Sequence, residues 1–385
     1  MLSKDKNLKA FFELTRAGLW EKEAWLSQFD KVDYGEIMRL AEEQSVVGLV
    51  TAGLEHVHDV KVPQGALLQF IGQSLRIEQR NISMNSFIED LYGRMQRRDL
   101  YSILMKGQGI AQCYERPLWR TAGDIDLLLN GDNYDKAKEW FRTIGRVDED
   151  ENGFRKRVNT TVESWDVELH GTMRGELGHR IELGIDDVQR DVFYGGNVRS
   201  WYDGKTTVFL PSADNDVVFI FTHILQHFFR GGIGLRQICD WCRLLWIYRA
   251  ELDLRLLESR IKRMGVMSEW KAFAALAVNY LGMPMEAMPM FGPWSKAQDS
   301  RFKKKTERIL KYVMEVGNFG HNRDMSYKTE KPFLVRMMIS LRHRTSDFMK
   351  QVMVFPIDAC RAYSGVWKTG IGVVRKKFFL RLRII

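Results

Sequence analysis

The chain has 385 residues, of which 45% are hydrophobic and 12% aromatic, so it carries enough apolar material for a sizeable core. This composition excludes disordered, collagen-like and low-complexity proteins. The formal net charge of +9 is distributed unevenly, because residues 301–385 carry 20 basic and 6 acidic side chains whereas the first 300 carry 38 and 43. We therefore expect a nearly neutral body that ends in a basic C-terminal region.

Cysteine content and apolar runs indicate the compartment. Four cysteines are too few for a disulfide framework and fit a reducing environment. Lys9, Glu13 and Arg16 interrupt the N-terminal apolar residues, which is atypical of a secretory signal. No uncharged apolar run approaches the ~18 residues that a membrane-spanning helix needs. These features predict a soluble cytoplasmic protein without a transmembrane segment.

The pattern of apolar residues divides the chain into four predicted regions. Apolar residues recur three and four apart at the start of the chain, which is typical of helices. Short apolar runs stopped by glycine follow at 101–105 and 125–129, and residues 160–170 alternate like a third strand. Helical periodicity then returns. The predicted regions are an N-terminal helical region (1–95), an α/β core (96–210), a helical domain (211–320) and a basic helical tail (321–385).

Two carboxylates two residues apart are the most informative feature. Asp124 and Asp126 lie on a predicted strand, so both side chains project from one face while Ile125 points into the core. Adjacent carboxylates repel each other and favour a divalent cation between them. Glu168 on the alternating strand is the best candidate for a third ligand, and Asp166 on the same face is the reserve.

A strand, a glycine-containing turn and a predicted helix precede these carboxylates. The strand ends in Lys106, Gly107, Gln108 and Gly109, a turn whose backbone N–H groups can approach a phosphate closely. The cationic side chains of Lys106 and Arg120 would neutralise phosphate oxygens. With the acidic strand, this turn predicts a nucleoside triphosphate bridged to the protein by metal ions, as phosphoryl or nucleotidyl transfer requires.

These motifs resemble two nested groups of enzymes. The order of strand, turn, helix, acidic-x-acidic strand and later acidic strand resembles the nucleotidyltransferase superfamily that includes DNA polymerase β. A narrower resemblance, to the bacterial family of uncharacterised nucleotidyltransferases, adds a helical region with spaced histidines, an arginine and an aspartate. The matching positions are Lys106, Gly107, Arg120, residues 123–128 and 167–170, His223, His227, Arg236 and Asp240.

The resemblance implies an α+β fold with a polymerase β-like core, a small mixed sheet and flanking helical regions. It implies Mg²⁺-dependent transfer of a nucleoside monophosphate from a triphosphate, with ATP expected, to an acceptor hydroxyl with release of pyrophosphate. Asp124 and Asp126 would bind two Mg²⁺ ions, and Glu168 would bind the one that activates the acceptor oxygen. The residues expected to line the cleft are Asp166, His170, His223, His227, Arg236 and Asp240.

This sequence departs from the superfamily pattern at two positions, and it leaves the acceptor open. Gln108 stands where the superfamily has glycine or serine, and Glu168 is one methylene longer than aspartate. A toxin-like nucleotidyltransferase acting on tRNA or protein shares the same motifs. A non-catalytic protein that binds nucleotide, RNA or membrane could keep the same fold.

The basic C-terminal region admits three interpretations. Its Lys and Arg residues are interleaved with aromatic and aliphatic ones. A solvated helical surface, an RNA-binding surface and an interfacial helix on an anionic membrane all fit this pattern. The last of these would place the protein at the inner membrane surface.

Overall fold

The computed structural model describes residues 5–147, 156–202, 206–292, 296–320, 322–323 and 333–363. Four helices precede the first strand. The first is capped by Asp5, whose carboxylate accepts hydrogen bonds from the N–H groups of Asn7 and Leu8 at 3.0 and 3.1 Å. Pro63 immediately precedes the fourth and longest. These helices are α1 (Lys6–Trp20), α2 (Tyr34–Glu43), α3 (Val47–Glu55) and α4 (Gln64–Gln96).

Helices α1 and α3 cross at two glycines. A Cβ atom on Gly53 would lie 2.0 Å from the carbonyl oxygen of Leu14, and one on Gly18 would lie 1.9 Å from that of Leu49. No side chain fits at either position, so the two backbones approach until they touch. This contact locks the N-terminal helices into one unit.

Within the residues that the structure describes, seven strands form a single mixed sheet. The strand order is β3-β4-β5-β2-β1-β7-β6. Strand β1 is antiparallel to β2 and parallel to β7, and β2 is parallel to β5. The α+β class is therefore confirmed, while the polymerase β-like core stays a prediction. The strands are β1 (Ile103–Met105), β2 (Ile125–Leu128), β3 (Arg146–Val147), β4 (Arg157–Val162), β5 (Trp165–His170), β6 (Val198–Tyr202) and β7 (Thr207–Pro211).

The third predicted strand is in fact a hairpin. The chain reverses at Glu163 and Ser164, where Glu163 adopts φ +57°, and Val162 pairs with Trp165. In an antiparallel hairpin, paired residues share a face of the sheet. Because this turn contains two residues, the positions that face the core have even numbers in β4 and odd numbers in β5. The apolar residues change in the same way, from Val158 and Val162 to Trp165, Val167 and Leu169.

The two faces of the sheet pack against different sets of helices. Ile125 and Leu127 belong to a cluster with α4 and with α6 (Gly131–Ile144). Leu128 and Met105 point the other way, into the larger cluster formed by the N-terminal and C-terminal helices. The side chain of Asp126 lies on this second face, because it alternates with Ile125 and Leu127.

The remaining helices complete the larger core. Helix α5 follows β1 and α7 follows β5, and six labelled helices follow the last strand. A further short helix covers residues 356–363. The labelled helices are α5 (Gly107–Ala111), α7 (His179–Tyr194), α8 (Ala213–Arg230), α9 (Leu235–Ile247), α10 (Leu254–Met264), α11 (Met267–Leu281), α12 (Lys296–Val316) and α13 (Phe333–Val352).

Arg243 on α9 is a buried cation that ties distant segments together. It donates hydrogen bonds to the carbonyl oxygens of Cys113 and Leu19 at 2.8 and 3.0 Å, and to the carboxylate of Glu115 at 2.8 Å. These bonds satisfy a charge that burial would otherwise penalise heavily. They connect α1, the segment after α5 and α9 in one core.

Part of the basic C-terminal region lies outside the described residues. Residues 324–332 and 364–385, which hold eight of the basic side chains of this region, belong to that part. None of the helices that the structure describes combines the length and apolar composition needed to cross a lipid bilayer. The predicted RNA or membrane contacts of this region stay predictions.

The contact between α1 and α3 predicts the effect of adding one methyl group. We expect Gly53→Ala to lower the free energy of unfolding by about 2 kcal/mol or more, because its Cβ would overlap a backbone carbonyl. Chemical denaturation measures this change. Gly72→Ala on α4 is the control, since open space surrounds it, and it should raise the same quantity by about 0.5–1 kcal/mol. Equal effects of the two substitutions would contradict the proposed close contact.

Candidate active site

The register of two neighbouring strands places two carboxylates side by side. Asp126 on β2 pairs with Glu168 on the parallel strand β5. Asp126 is 2% exposed and Glu168 9%. Asp124, two residues before Asp126, lines the same cleft. The three predicted metal ligands therefore lie on one face of the sheet, as their spacing indicated.

A lysine ammonium group and a histidine ring contact Asp126. The ammonium group of Lys106 lies 2.8 Å from Asp126 Oδ1, and His170 Nε2 lies 2.8 Å from the same oxygen. His170 Nε2 also lies 3.3 Å from Glu168 Oε2. His170 thus bridges both buried carboxylates, and it lines the cleft as expected.

Arg157 completes the compensation of charge at this face. It is the first residue of β4, where it pairs with His170, and its guanidinium forms an ion pair with Glu168. Asp124 has no comparable partner: among the residues that the structure describes, none donates a hydrogen bond to its carboxylate or forms an ion pair with it. Of the three carboxylates, that of Asp124 is therefore the one whose oxygens are not engaged by a described side chain and can bind a ligand.

The pKa values of these groups show that the charged forms prevail. Burial alone would raise the pKa of Asp126, but Lys106 and His170 outweigh burial and hold it below its usual value. Burial likewise opposes ionisation of Glu168, yet the hydrogen bond with His170 and the nearby Arg157 keep its pKa low. The pKa of Lys106 is raised despite its burial, because Asp126 and Asp124 stabilise the ammonium form.

The backbone at Lys106 is strained. This residue connects β1 to α5 with φ +57° and ψ −146°, a combination that side chains rarely tolerate and that costs about 1–3 kcal/mol. Gly107 follows with φ +43° and also lines the cleft. The turn directs the Lys106 side chain back over β2, where its ammonium group meets Asp126.

Helix α8 forms the wall opposite the sheet. His223 and His227, one turn apart, face the cleft with their Nε2 atoms 3.0 Å from each other, and His223 stacks on Phe219. Burial, followed by the positive charge of Lys106, lowers the pKa of His227 to about 3. Burial has the same effect on the pKa of His223. Both rings are neutral near pH 7, so this part of the wall is polar but uncharged, whereas Arg230 at the end of α8 lines the cleft as an ion pair with Glu176.

Arg120 and Asp240 form a buried ion pair at the base of the cleft. Two guanidinium nitrogens of Arg120 each lie 2.7 Å from a carboxylate oxygen of Asp240, and the Tyr114 hydroxyl donates to Asp240 at 2.7 Å. Arg236 beside them donates to the carbonyl oxygen of Thr121 at 2.8 Å. Burial and the neighbouring Arg120 lower the pKa of Arg236. All three predicted residues line the cleft.

Three other predicted residues do not line the cleft. Gln108 is buried and donates to Asn81 Oδ1 at 3.0 Å, and Gly109 packs against Leu210. Asp166 is exposed and accepts a hydrogen bond from Thr161 Oγ1 at 3.3 Å. Gln108 and Gly109 therefore hold the turn in place from behind, while Asp166 faces solvent.

Sequence reasoning missed two residues that shape this site. The hairpin is predicted as a single strand, so Arg157 is not expected beside Glu168. The shift of the apolar residues from even to odd positions near residue 163 is the signal that could have revealed the turn, and with it Arg157. Asn81 on α4 donates to the carbonyl oxygens of Leu118 and Arg120 at 2.7 and 2.8 Å while accepting from Gln108. Nothing in the local sequence distinguishes Asn81 from an ordinary polar residue of a long helix.

The donor chemistry of the cleft fits a divalent cation. Ligand atoms of Asp126, Glu168 and His170 all lie within 4.8 Å of one another. Asp124 adds a carboxylate that is not engaged by a described partner. Carboxylate oxygens are the ligands that Mg²⁺ prefers. Lys106, Gly107 and Arg236 surround them with groups suited to phosphate oxygens.

The low pKa of His227 predicts how stability depends on pH. An unfolded histidine takes up a proton near pH 6.5, whereas folded His227 stays neutral, so the unfolded state binds more protons as the pH falls. We expect the free energy of unfolding to fall by about 1–2 kcal/mol more in the native protein than in His227→Phe between pH 6.5 and 5. Urea unfolding at the two pH values measures this difference. His58→Phe is the control because His58 is exposed, and equal pH dependence in both variants would contradict the prediction.

The comparisons with known proteins give the family of the chain. Residues 30–282 match the model of a family described as uncharacterised nucleotidyltransferase. Those residues include α2 to α11, the whole sheet and every residue that lines the cleft. No curated protein and no solved structure matches the chain. The matched segment covers well over half of the sequence, and the chain therefore belongs to the uncharacterised nucleotidyltransferase family and is a nucleotidyltransferase.

Proposed function

We propose that this enzyme transfers a nucleoside monophosphate from a nucleoside triphosphate, with ATP the expected donor, to an acceptor hydroxyl and releases pyrophosphate. The observation that carries the proposal is the pairing of Asp126 with Glu168 across β2 and β5, with Asp124 on the same face. Family membership supports the reaction class, and this juxtaposition supports these carboxylates as its metal ligands.

Divalent metal is the cofactor that these residues would hold. Asp124 and Asp126 would bind two Mg²⁺ ions, and Glu168 would share the one on the acceptor side. When bound, such a pair of ions stabilises the negative charge on the attacking and leaving oxygens. The fit rests on the chemistry of the donors and on the unengaged carboxylate of Asp124.

The cationic groups of the cleft suit the triphosphate. Lys106 is held at the end of β1 by the strained turn, and Gly107 leaves room for a phosphate oxygen near the backbone. Arg236 contributes a guanidinium to the lining of the same cleft. These groups would orient the α-phosphate and neutralise the charge that develops on the leaving pyrophosphate.

The acceptor hydroxyl has a base nearby. Glu168 stays ionised because its pKa is held low, and it lies on the face where the acceptor oxygen would approach. His170 fixes the orientation of this carboxylate through its hydrogen bond. We propose that Glu168 accepts the hydroxyl proton as the oxygen attacks phosphorus.

The neutral wall on α8 suits the uncharged part of a substrate. Phe219, His223 and His227 present aromatic rings without charge. We propose that substrate binds between the region predicted as a catalytic core (96–210) and the helical domain (211–320), to which this wall belongs. Unpaired cysteines, three of them buried, support a cytoplasmic location.

Substitution of the carboxylates tests this function directly. We expect Asp124→Asn, Asp126→Asn and Glu168→Gln each to reduce transfer at least about 10³-fold, because each removes a negative ligand from the site. The measurement follows the ³²P label of α-labelled nucleoside triphosphates into acid-insoluble and small-molecule products of a cell extract. The class of labelled product identifies the acceptor.

Asp166→Asn is the matched control for these variants. Asp166 lies on the same strand as Glu168, two residues away, but it faces solvent. Its substitution should leave the rate of label transfer unchanged. If Asp166→Asn abolished transfer while Glu168→Gln did not, the assignment of the third carboxylate would be wrong.

A further inference from the structure

The carboxylate face is already occupied by cations that belong to the protein. Lys106 contacts Asp126 and Arg157 contacts Glu168. Both cations line the same cleft as the carboxylates. The cleft encloses about 180 Å³, which is smaller than the roughly 300–1,000 Å³ typical of small-molecule sites. Movement of the side chains that fill it would make room for a nucleotide.

A divalent cation would compete with these side chains for the same oxygens. A metal ion within a few ångströms of an ammonium or guanidinium group is repelled by it, and burial strengthens the repulsion. Lys106 and Arg157 would have to withdraw from Asp126 and Glu168 as the ion binds. A triphosphate arriving with the ion offers them new anionic partners within the same cleft.

Arg157 is the side chain better placed to make this exchange. Its side chain is 41% exposed, whereas that of Lys106 is 17% exposed and is directed by a strained turn. A guanidinium can bind two phosphate oxygens at once, as it can bind a carboxylate. The guanidinium of Arg157 is partly solvated, so it can leave Glu168 once a metal ion takes over the compensation of that buried carboxylate.

We propose that Arg157 is a triphosphate-binding residue that changes partner: it neutralises Glu168 before the divalent cation binds and contacts the phosphates afterwards. Lys106 makes the same exchange from Asp126 over a shorter distance. The inference rests on the proposed function, since it takes a metal ion and a nucleoside triphosphate as ligands. It implies positive cooperativity, because each ligand removes an obstacle to the other.

The exchange predicts effects of opposite sign on the two ligands. Arg157→Met removes a competitor for Glu168, so we expect Mn²⁺ alone to bind about two- to fivefold more tightly than to the native protein. The same variant loses a phosphate contact, so α,β-methylene-ATP in saturating Mn²⁺ should bind about tenfold more weakly. Isothermal titration calorimetry of the full chain measures both affinities without turnover.

Two further variants separate the exchange from a structural role. Arg157→Lys keeps a cation at the position, and its affinity for Mn²⁺ should return toward the native value. Arg94→Met is the control, because Arg94 forms ion pairs with Asp90 and Glu163 and does not line the cleft. It should change neither affinity. Thermal unfolding of each variant verifies that it is folded.

The outcomes distinguish this inference from the proposed function. If the native protein binds Mn²⁺ and the nucleotide analogue but Arg157→Met weakens both or changes neither, Arg157 is a structural partner of Glu168 and the exchange is refuted. If the native protein binds neither ligand, the proposed function fails together with the inference. Tighter binding of Mn²⁺ together with weaker binding of the nucleotide analogue in Arg157→Met supports both the exchange of partners and the proposed function.

Discussion

Two carboxylates buried side by side are the constraint on which the site depends. The register of β2 and β5 sets Asp126 next to Glu168 on a face that is closed by α8. Burying two like charges together is strongly unfavourable unless each is paired. The structure meets this cost with Lys106, His170 and Arg157, which come from three different strand ends. The position of the cleft follows from where these ends meet.

Holding the compensating groups in place requires features that cost stability elsewhere. The turn at Lys106 is strained, and the buried side chain of Gln108 holds it from behind by a hydrogen bond to Asn81. Asn81 also binds two carbonyl oxygens of the segment that leads to β2. One residue on α4 therefore supports both the turn after β1 and the approach to Asp124. Strain at a cleft supported by buried hydrogen bonds is typical of sites whose geometry matters for function.

The sequence was sufficient to predict the main part of this arrangement. Asp124 and Asp126 are two apart on a short apolar run, so their common face followed from strand geometry alone. The partner strand was predicted too, but its register was not, because pairing between strands distant in sequence depends on the whole fold. The turn within 160–170 was missed for a local reason: neither Glu163 nor Ser164 is the glycine or asparagine that usually marks a tight hairpin. Strands β6 and β7 were not predicted, so the parallel neighbour of β1 was unforeseen.

The predicted roles of individual side chains depend on contacts that the local sequence does not show. Arg120 and Gln108 carry functional groups suited to phosphate, yet the structure pairs one with Asp240 and the other with Asn81, partners 120 and 27 residues away. A buried guanidinium needs a carboxylate before it can serve a ligand, so Arg120 now supports the base of the cleft, whereas Arg157 keeps its charge near the surface. The chemistry of a side chain limits what it can bind, but burial decides whether it faces the substrate or the core. In this enzyme the partly exposed cations face the proposed substrate, and the fully buried ones maintain the fold around it.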